Sequence, residues 1–280
     1  MARIVENSGA ADRIDAAIKN WQQGDVALDE GWVFHVADPK AALTDEAAES
    51  DEEGPLAIPS KVEGLVVVSQ TCDVVRKCVD RPFVEVSPLC RPPPGMRSGI
   101  QRGQSTRFAC LPGLLDLNLA VDLERTMTVE KAVVARWERT RGCPTDQDSR
   151  AFARALARKR ARFAFPNEFV EMVKPMQDRL ASKHGKDSPE GHALRALREI
   201  RVQASPSWSA GASIFFWFLR HDEQVEFGDR SWDQWLDSWL SLITSSNSYG
   251  QPCGVVTTLQ GMTAADYVAS DPLDLDYLST

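Results

Sequence analysis

Two groups of side chains in this sequence have the types and spacing that work on a phosphate would use. The first is Ser69-Gln70-Thr71-Cys72-Asp73, followed closely by Arg76, Lys77 and Arg81. Cations beside hydroxyl, amide and carboxylate groups can seat a phosphate, and they favour the nucleophilic form of a neighbouring thiol. An equally simple reading makes Cys72 a small buried residue and Asp73 the cap of a turn or short helix through Cys78. The second group is a ladder of Arg150, Arg154, Arg158 and Arg162, set opposite Phe152, Leu156 and Phe163. Between Arg136 and Arg162 nine bases stand against three acids, in a chain of net charge −8. Such a helix can lie along a phosphate backbone, form a solvated face, or dock the acidic stretch Thr44–Gly54.

These groups need elements to position them. Gly64–Ser69 holds four consecutive apolar residues in a β-branched context and is read as a buried central strand that presents the Gln70–Asp73 loop at its end. Asp25–Leu28, Trp32–Val36, Phe83–Val86, Phe108–Leu111 and Leu119–Leu123 read as further strands, with Pro88 and Pro92–Gly95 breaking the chain. Ile14, Ile18 and Trp21 share one face of an opening helix that Gly24 stops. Thr44–Gly54 reads as a mobile acidic loop, and a helix is expected to start near Thr128. Beyond Arg136 the pattern turns helical (Arg150–Arg162, Phe169–Leu180, Pro189–Glu199). Strands return at Ile200–Gln203, Ser213–Leu219 and Val255–Leu259, with a tryptophan-rich helix over Ser231–Ser245. The expected organisation is therefore α+β, with an antiparallel barrel domain over residues 1–135 and a helical, then α+β, extension over 136–280. The acidic tail around Tyr277-Leu278 is read as docking on the body or on a partner.

Hydrophobic residues make up 43% and charged residues 26% of the 280, which excludes a disordered or fibrous chain. The longest apolar run, Ile214–Leu219, falls far short of the ~20 residues of a membrane helix. Met1–Gln22 lacks the apolar core of a secretory signal. A cytoplasmic protein without membrane contact is expected. The six cysteines form no CxxC pair, and the four histidines are not spaced with them as zinc ligands. Reduced thiols, no metal and no cofactor are expected.

Four segments between residues 23 and 134 resemble, in order, the PemK/MazF-like toxins. Gln23-Gly24-Asp25-Val26 is similar to their opening strand, and Leu65–Gln70 to their central strand with its polar exit. Phe83–Leu89 is similar to the next strand with its Pro-Leu exit, and Val121–Val129 to a strand passing through an Arg-Thr turn. The resemblance implies an SH3-like β-barrel and an endoribonuclease that pairs with an antitoxin. Three positions depart from the pattern. Glu63-Gly64 stands where an Arg precedes the central strand, Cys90 stands where a Thr follows the Pro-Leu exit, and Ala120-Val121-Asp122 keeps the acid of Arg-x-Asp without its base. Cleavage through the 2′-hydroxyl needs a base and a cation for the pentacovalent phosphate. The candidates are Asp73 or Asp122 for the base and Arg76 or Arg81 for the cation. Gln70, Thr71, Cys72 and the arginine ladder are candidates for binding nucleic acid or a partner. The function expected is that of a prokaryotic toxin or phage-defence protein that binds, and as an enzyme cleaves, RNA. The rival is an inactive barrel that serves as adaptor in a defence or toxin–antitoxin complex.

Overall fold

The computed structural model describes residues 8–101, 103, 105–161, 163–209, 211–221 and 230–273. The fold is mixed α+β and falls into two compact units, residues 1–161 and 162–280. The expected boundary near residue 135 moves because the helix over 146–160 buries Phe152 and Leu156 in the core of the first unit.

In the first unit the chain forms α1 (Ser8–Ile18), β1 (Asp25–Ala27), β2 (Trp32–Ala37), α2 (Asp45–Ala48), β3 (Leu56–Lys61), β4 (Leu65–Val67), α3 (Thr71–Val74) and β5 (Phe83–Cys90). There follow α4 (Arg97–Gln101), β6 (Phe108–Ala109), β7 (Ala120–Asp122), β8 (Met127–Glu130), α5 (Lys131–Val134), β9 (Thr140–Arg141) and α6 (Asp146–Arg160). Seven strands make one antiparallel sheet in the order β6-β7-β5-β4-β1-β9, with β8 also on β5, while β2 and β3 pair separately. β5 carries β8 along Phe83–Val86 and β7 along Leu89–Cys90, so the sheet changes neighbour midway and curls into a half-barrel.

Pro88 lies inside β5 instead of ending it. The backbone of Leu89 bonds Gly64 and Glu63 on the β4 side, so the next residue back faces the gap between β8 and β7, where no ladder N–H is needed. Val66 and Val68 point into one core with Val26, Leu89 and α6. Val84 and Val86 join Leu65 and Val67 in a second core under α1 and α5. Val67 is therefore as buried as Val66, and β4 is covered on both faces although the sheet is antiparallel. Gly64, at φ 146°, is required where β4 begins, because a Cβ there would sit 2.7 Å from the Ala27 carbonyl oxygen.

Two further expectations change. The acidic stretch contains α2, whose Thr44 side chain caps the Ala47 N–H and whose Ala47 is buried. Thr128 pairs with Glu85 in β8, and the helix starts later, at Lys131.

The second unit contains α7 (Asn167–His184), α8 (Pro189–Ala196), β10 (Leu197–Ser205), β11 (Ser213–Arg220), α9 (Trp232–Leu240), β12 (Cys253–Thr258), α10 (Ala264–Ala269) and β13 (Asp271–Pro272). Its sheet runs β12-β11-β10-β13, antiparallel except for β11–β12. The helix expected to reach Glu199 stops at Ala196, since β10 has already begun to pair with β11 at Leu197. Phe169 and Met176 of α7, Trp235 and Trp239 of α9, and Ile214, Phe216 and Phe218 of β11 share one core, which Trp208 joins at its edge. Among the described residues no helix is long and apolar enough to cross a membrane. Tyr277 and Leu278 lie outside the described residues.

Candidate functional site

The strongest concentration of paired charge in the first unit sits where β7 leaves the sheet. Asp122, the last residue of β7, pairs with Phe108 of β6 and is buried. Its carboxylate accepts the Glu124 N–H at 3.1 Å, an Asx turn that starts the Arg-Thr corner into β8. It also meets Arg125 Nε at 2.9 Å and Arg107 Nη2 at 3.4 Å. Arg107 reaches Glu124 at 3.4 Å and lies over the Phe108 ring, while Lys159 of α6 meets Glu124 at 3.5 Å. A buried carboxylate thus orients two guanidinium groups that remain partly in solvent. Such forks fit phosphate oxygens.

Cys90, at the end of β5, adjoins this cluster. Burial pushes its thiol above the ordinary cysteine range, the charge of Asp122 pushes the same way, and Arg125 and Arg107 oppose them. Ser87 and Thr126 share a hydrogen bond of 2.8 Å across the same corner. The Glu46 carboxyl of α2 is held below its usual range, first by its own backbone N–H and then by Ser60, His35 and Arg125. Ser60 and His35 lie on the inner face of the β2–β3 hairpin, the face of the buried Val33. There His35 has Nδ1 3.4 Å from Ser60 Oγ and Nε2 3.5 Å from Thr44 Oγ1.

The Gln70–Asp73 loop forms a separate site. Gln70 is the N-cap of α3, so Asp73, expected as a cap, lies within the helix. Thr71 Oγ1 accepts the Gln23 N–H at 3.1 Å, and the Cys72 thiol donates to Gln70 Oε1 at 3.6 Å. Cys72 is exposed, against the reading of a small buried residue. Asp73 and Arg76 approach to 3.9 Å, and both are substantially exposed. Arg81 is exposed, and its backbone N–H closes a turn onto Lys77. The fixed point of this loop is Lys131, which is buried. Its Nζ donates to the backbone oxygens of Asp73 at 2.8 Å and Arg76 at 2.6 Å. Burial lowers the Lys131 pKa, while Asp15, Cys78 and Asp73 oppose that shift.

The structure therefore pairs Asp73 with Arg76, and Asp122 with Arg107 and Arg125 in place of Arg76 or Arg81. The cations that meet Asp122 come from the neighbouring turn and from the residue before β6. Asp122–Arg125 was visible as a three-residue spacing. Arg107 becomes its partner only through the β6–β7 register.

On α6, Arg150 and Arg154 are exposed, and Arg154 Nε contacts the Arg150 carbonyl oxygen at 3.3 Å. Arg158 donates to the Gly103 carbonyl, while Arg160 pairs with Glu85 at 2.8 Å. Arg162 lies outside the described residues. Among the described residues no ion pair joins Arg150 or Arg154 to the acidic stretch Thr44–Gly54. There Glu53 pairs with Lys40 at 3.2 Å. A further buried carboxylate went unremarked in the sequence. Asp25 accepts from the Gln22 N–H at 2.8 Å and from Arg139 at 3.1 Å, yet burial outweighs both and raises its pKa. No family model, curated protein or solved structure matches the chain.

Proposed function

We propose that the first unit is a PemK/MazF-like module with an SH3-like barrel, acting in a prokaryotic, cytoplasmic toxin or phage-defence setting. In this reading it binds RNA at the Asp122 cluster and cleaves it through the 2′-hydroxyl. The observation that carries the reading is the buried Asp122 between the partly exposed Arg107 and Arg125, beside Cys90. Asp122 and Arg125 fall on the strand and turn that the resemblance covers, Cys90 follows its Pro-Leu exit, and Arg107 joins them from outside it through the β6–β7 register. Asp122, buried and doubly paired, serves as a positioning residue, and the two arginines carry the phosphate and its transition-state charge. In this reading His35, on the inner face of the β2–β3 hairpin, moves the proton.

The rival adaptor reading draws support from the same burial, because Asp122 is shut away from solvent and the exposed carboxylate of the cluster, Glu124, is already held by Arg107 and Lys159. Incubation with long single-stranded RNA separates the two. Cleavage yields 2′,3′-cyclic phosphate ends, and Arg125→Ala should lower the rate by ~10²–10³. Binding without products supports the adaptor, and neither binding nor products sinks the RNA reading.

A further inference from the structure

The outer face of the β2–β3 hairpin is apolar and uncovered. Side chains alternate along β2: Val33 is fully buried, whereas Trp32 and Phe34 are each 53% exposed and Val36 is 77% exposed. Ala57 and Pro59 stand opposite Val36 and Phe34 on the same face, and both are exposed. Leu43, in the segment joining the strands, is 98% exposed. Clustered apolar exposure of this kind marks an interaction surface more often than a solvated one.

Charge says what it would take. Between Asp38 and Pro55, the segment that closes the hairpin, seven acids stand against one lysine, and all seven acids are exposed. A polyanion would be repelled there. A second copy would bring a second acidic tip, in a chain already at −8. Strand addition to the outer edge of β3 is blunted by Pro59. Phe34 donates its N–H to the Met127 sulfur at 3.4 Å, away from Pro59, so Pro59 faces outward where an added strand would need an N–H.

From these features we infer that the hairpin face is a docking surface for a cationic amphipathic segment of a protein partner. The apolar side of that segment lies on Trp32, Phe34 and Val36, and its basic residues meet the acidic tip. The inference concerns the face opposite His35 and does not rest on RNA binding.

The test uses the full chain and a labelled synthetic helix of leucine and lysine, read by fluorescence anisotropy. Salt-sensitive binding is expected. It should weaken at least ~10-fold in Phe34→Ser/Val36→Ser, and again at least ~10-fold in Glu49→Gln/Asp51→Asn/Glu52→Gln, each ~1.4 kcal/mol. All five positions are exposed, so the variants should keep the wild-type circular dichroism and melting. Equal binding by wild type and both variants overturns the proposal. So does self-association abolished by Phe34→Ser/Val36→Ser, or binding of poly-uridine RNA lost in that same variant, because either outcome gives the face to a different occupant.

Discussion

Both units bury charge, and they do so to different ends. In the second unit Arg201 spends its donors on the fold. Nε bonds Ser270 Oγ at 2.9 Å, Nη2 bonds the backbone oxygens of Tyr267 and Ser270, Nη1 reaches Glu199, and the guanidinium lies over the Tyr267 ring. At Glu190 the anion is the buried partner, and one half-exposed guanidinium, that of Arg179, takes both carboxylate oxygens in parallel bonds of 3.1 and 2.8 Å. In the first unit Asp122 inverts the Arg201 arrangement and, unlike Glu190, is shared between two cations. There the anion is buried, and the cations stand at the surface with part of each guanidinium in water. A buried cation can only hold the structure together, whereas a buried anion can also hold cations ready for something else.

The largest effect that would sharpen this contrast is expected at Arg201. Arg201→Ala strands Glu199 and two carbonyls and should cost about 3 kcal/mol in denaturant unfolding. Arg125→Ala leaves Arg107 on Asp122 and should cost about 1 kcal/mol. Equal losses would erase the distinction. Lys131→Met comes next, at about 2 kcal/mol, since it takes the Lys131 donor from the Asp73 and Arg76 carbonyl oxygens. Amide exchange should then accelerate at Thr71–Arg76 ahead of β4, and a uniform acceleration would mean that Lys131 does not specifically pin the loop.

A smaller effect is expected at Asp25. Its folded pKa lies above 3.8, so its contribution to stability is fully present below that value and is lost as pH rises through the folded pKa. Asp25→Asn removes the buried charge and keeps an acceptor for Gln22 and Arg139. It should raise the melting temperature at pH 7 by about 2–4 °C and flatten its decline above pH 4. A lower melting temperature would show that the Arg139 pair outweighs burial. Last, a thiol reagent should label the exposed Cys72 and Cys253 quickly in the native protein. Cys143, whose thiol burial pushes up to about 12, should stay unlabelled until unfolding.

The fold was legible where side-chain pattern and burial coincide. Leu65–Val67 and Ile214–Leu219 are apolar because they are central strands, and Phe152 and Leu156 mark the inner side of α6. β3 escaped because Pro59 sits within it, and β8 because Met-Thr-Val-Glu fits a strand as well as a helix start. The site was half legible. Asp122 and Arg125 are sequence neighbours, but Arg107 joins them through strand register, and Lys131 reaches the Asp73 loop only because β8 lies along β5. Local spacing does not contain such information.

The central claim is that Asp122 presents Arg107 and Arg125 to RNA phosphates. Its most direct test is the salt dependence of binding to a single-stranded RNA, for wild type, Arg107→Ala and Arg125→Ala. Each substitution should weaken binding about equally across RNA sequences and flatten the slope of log K against log salt by ~0.7, the value for one phosphate contact on a single strand. Wild-type affinity and slope in both variants would contradict the account.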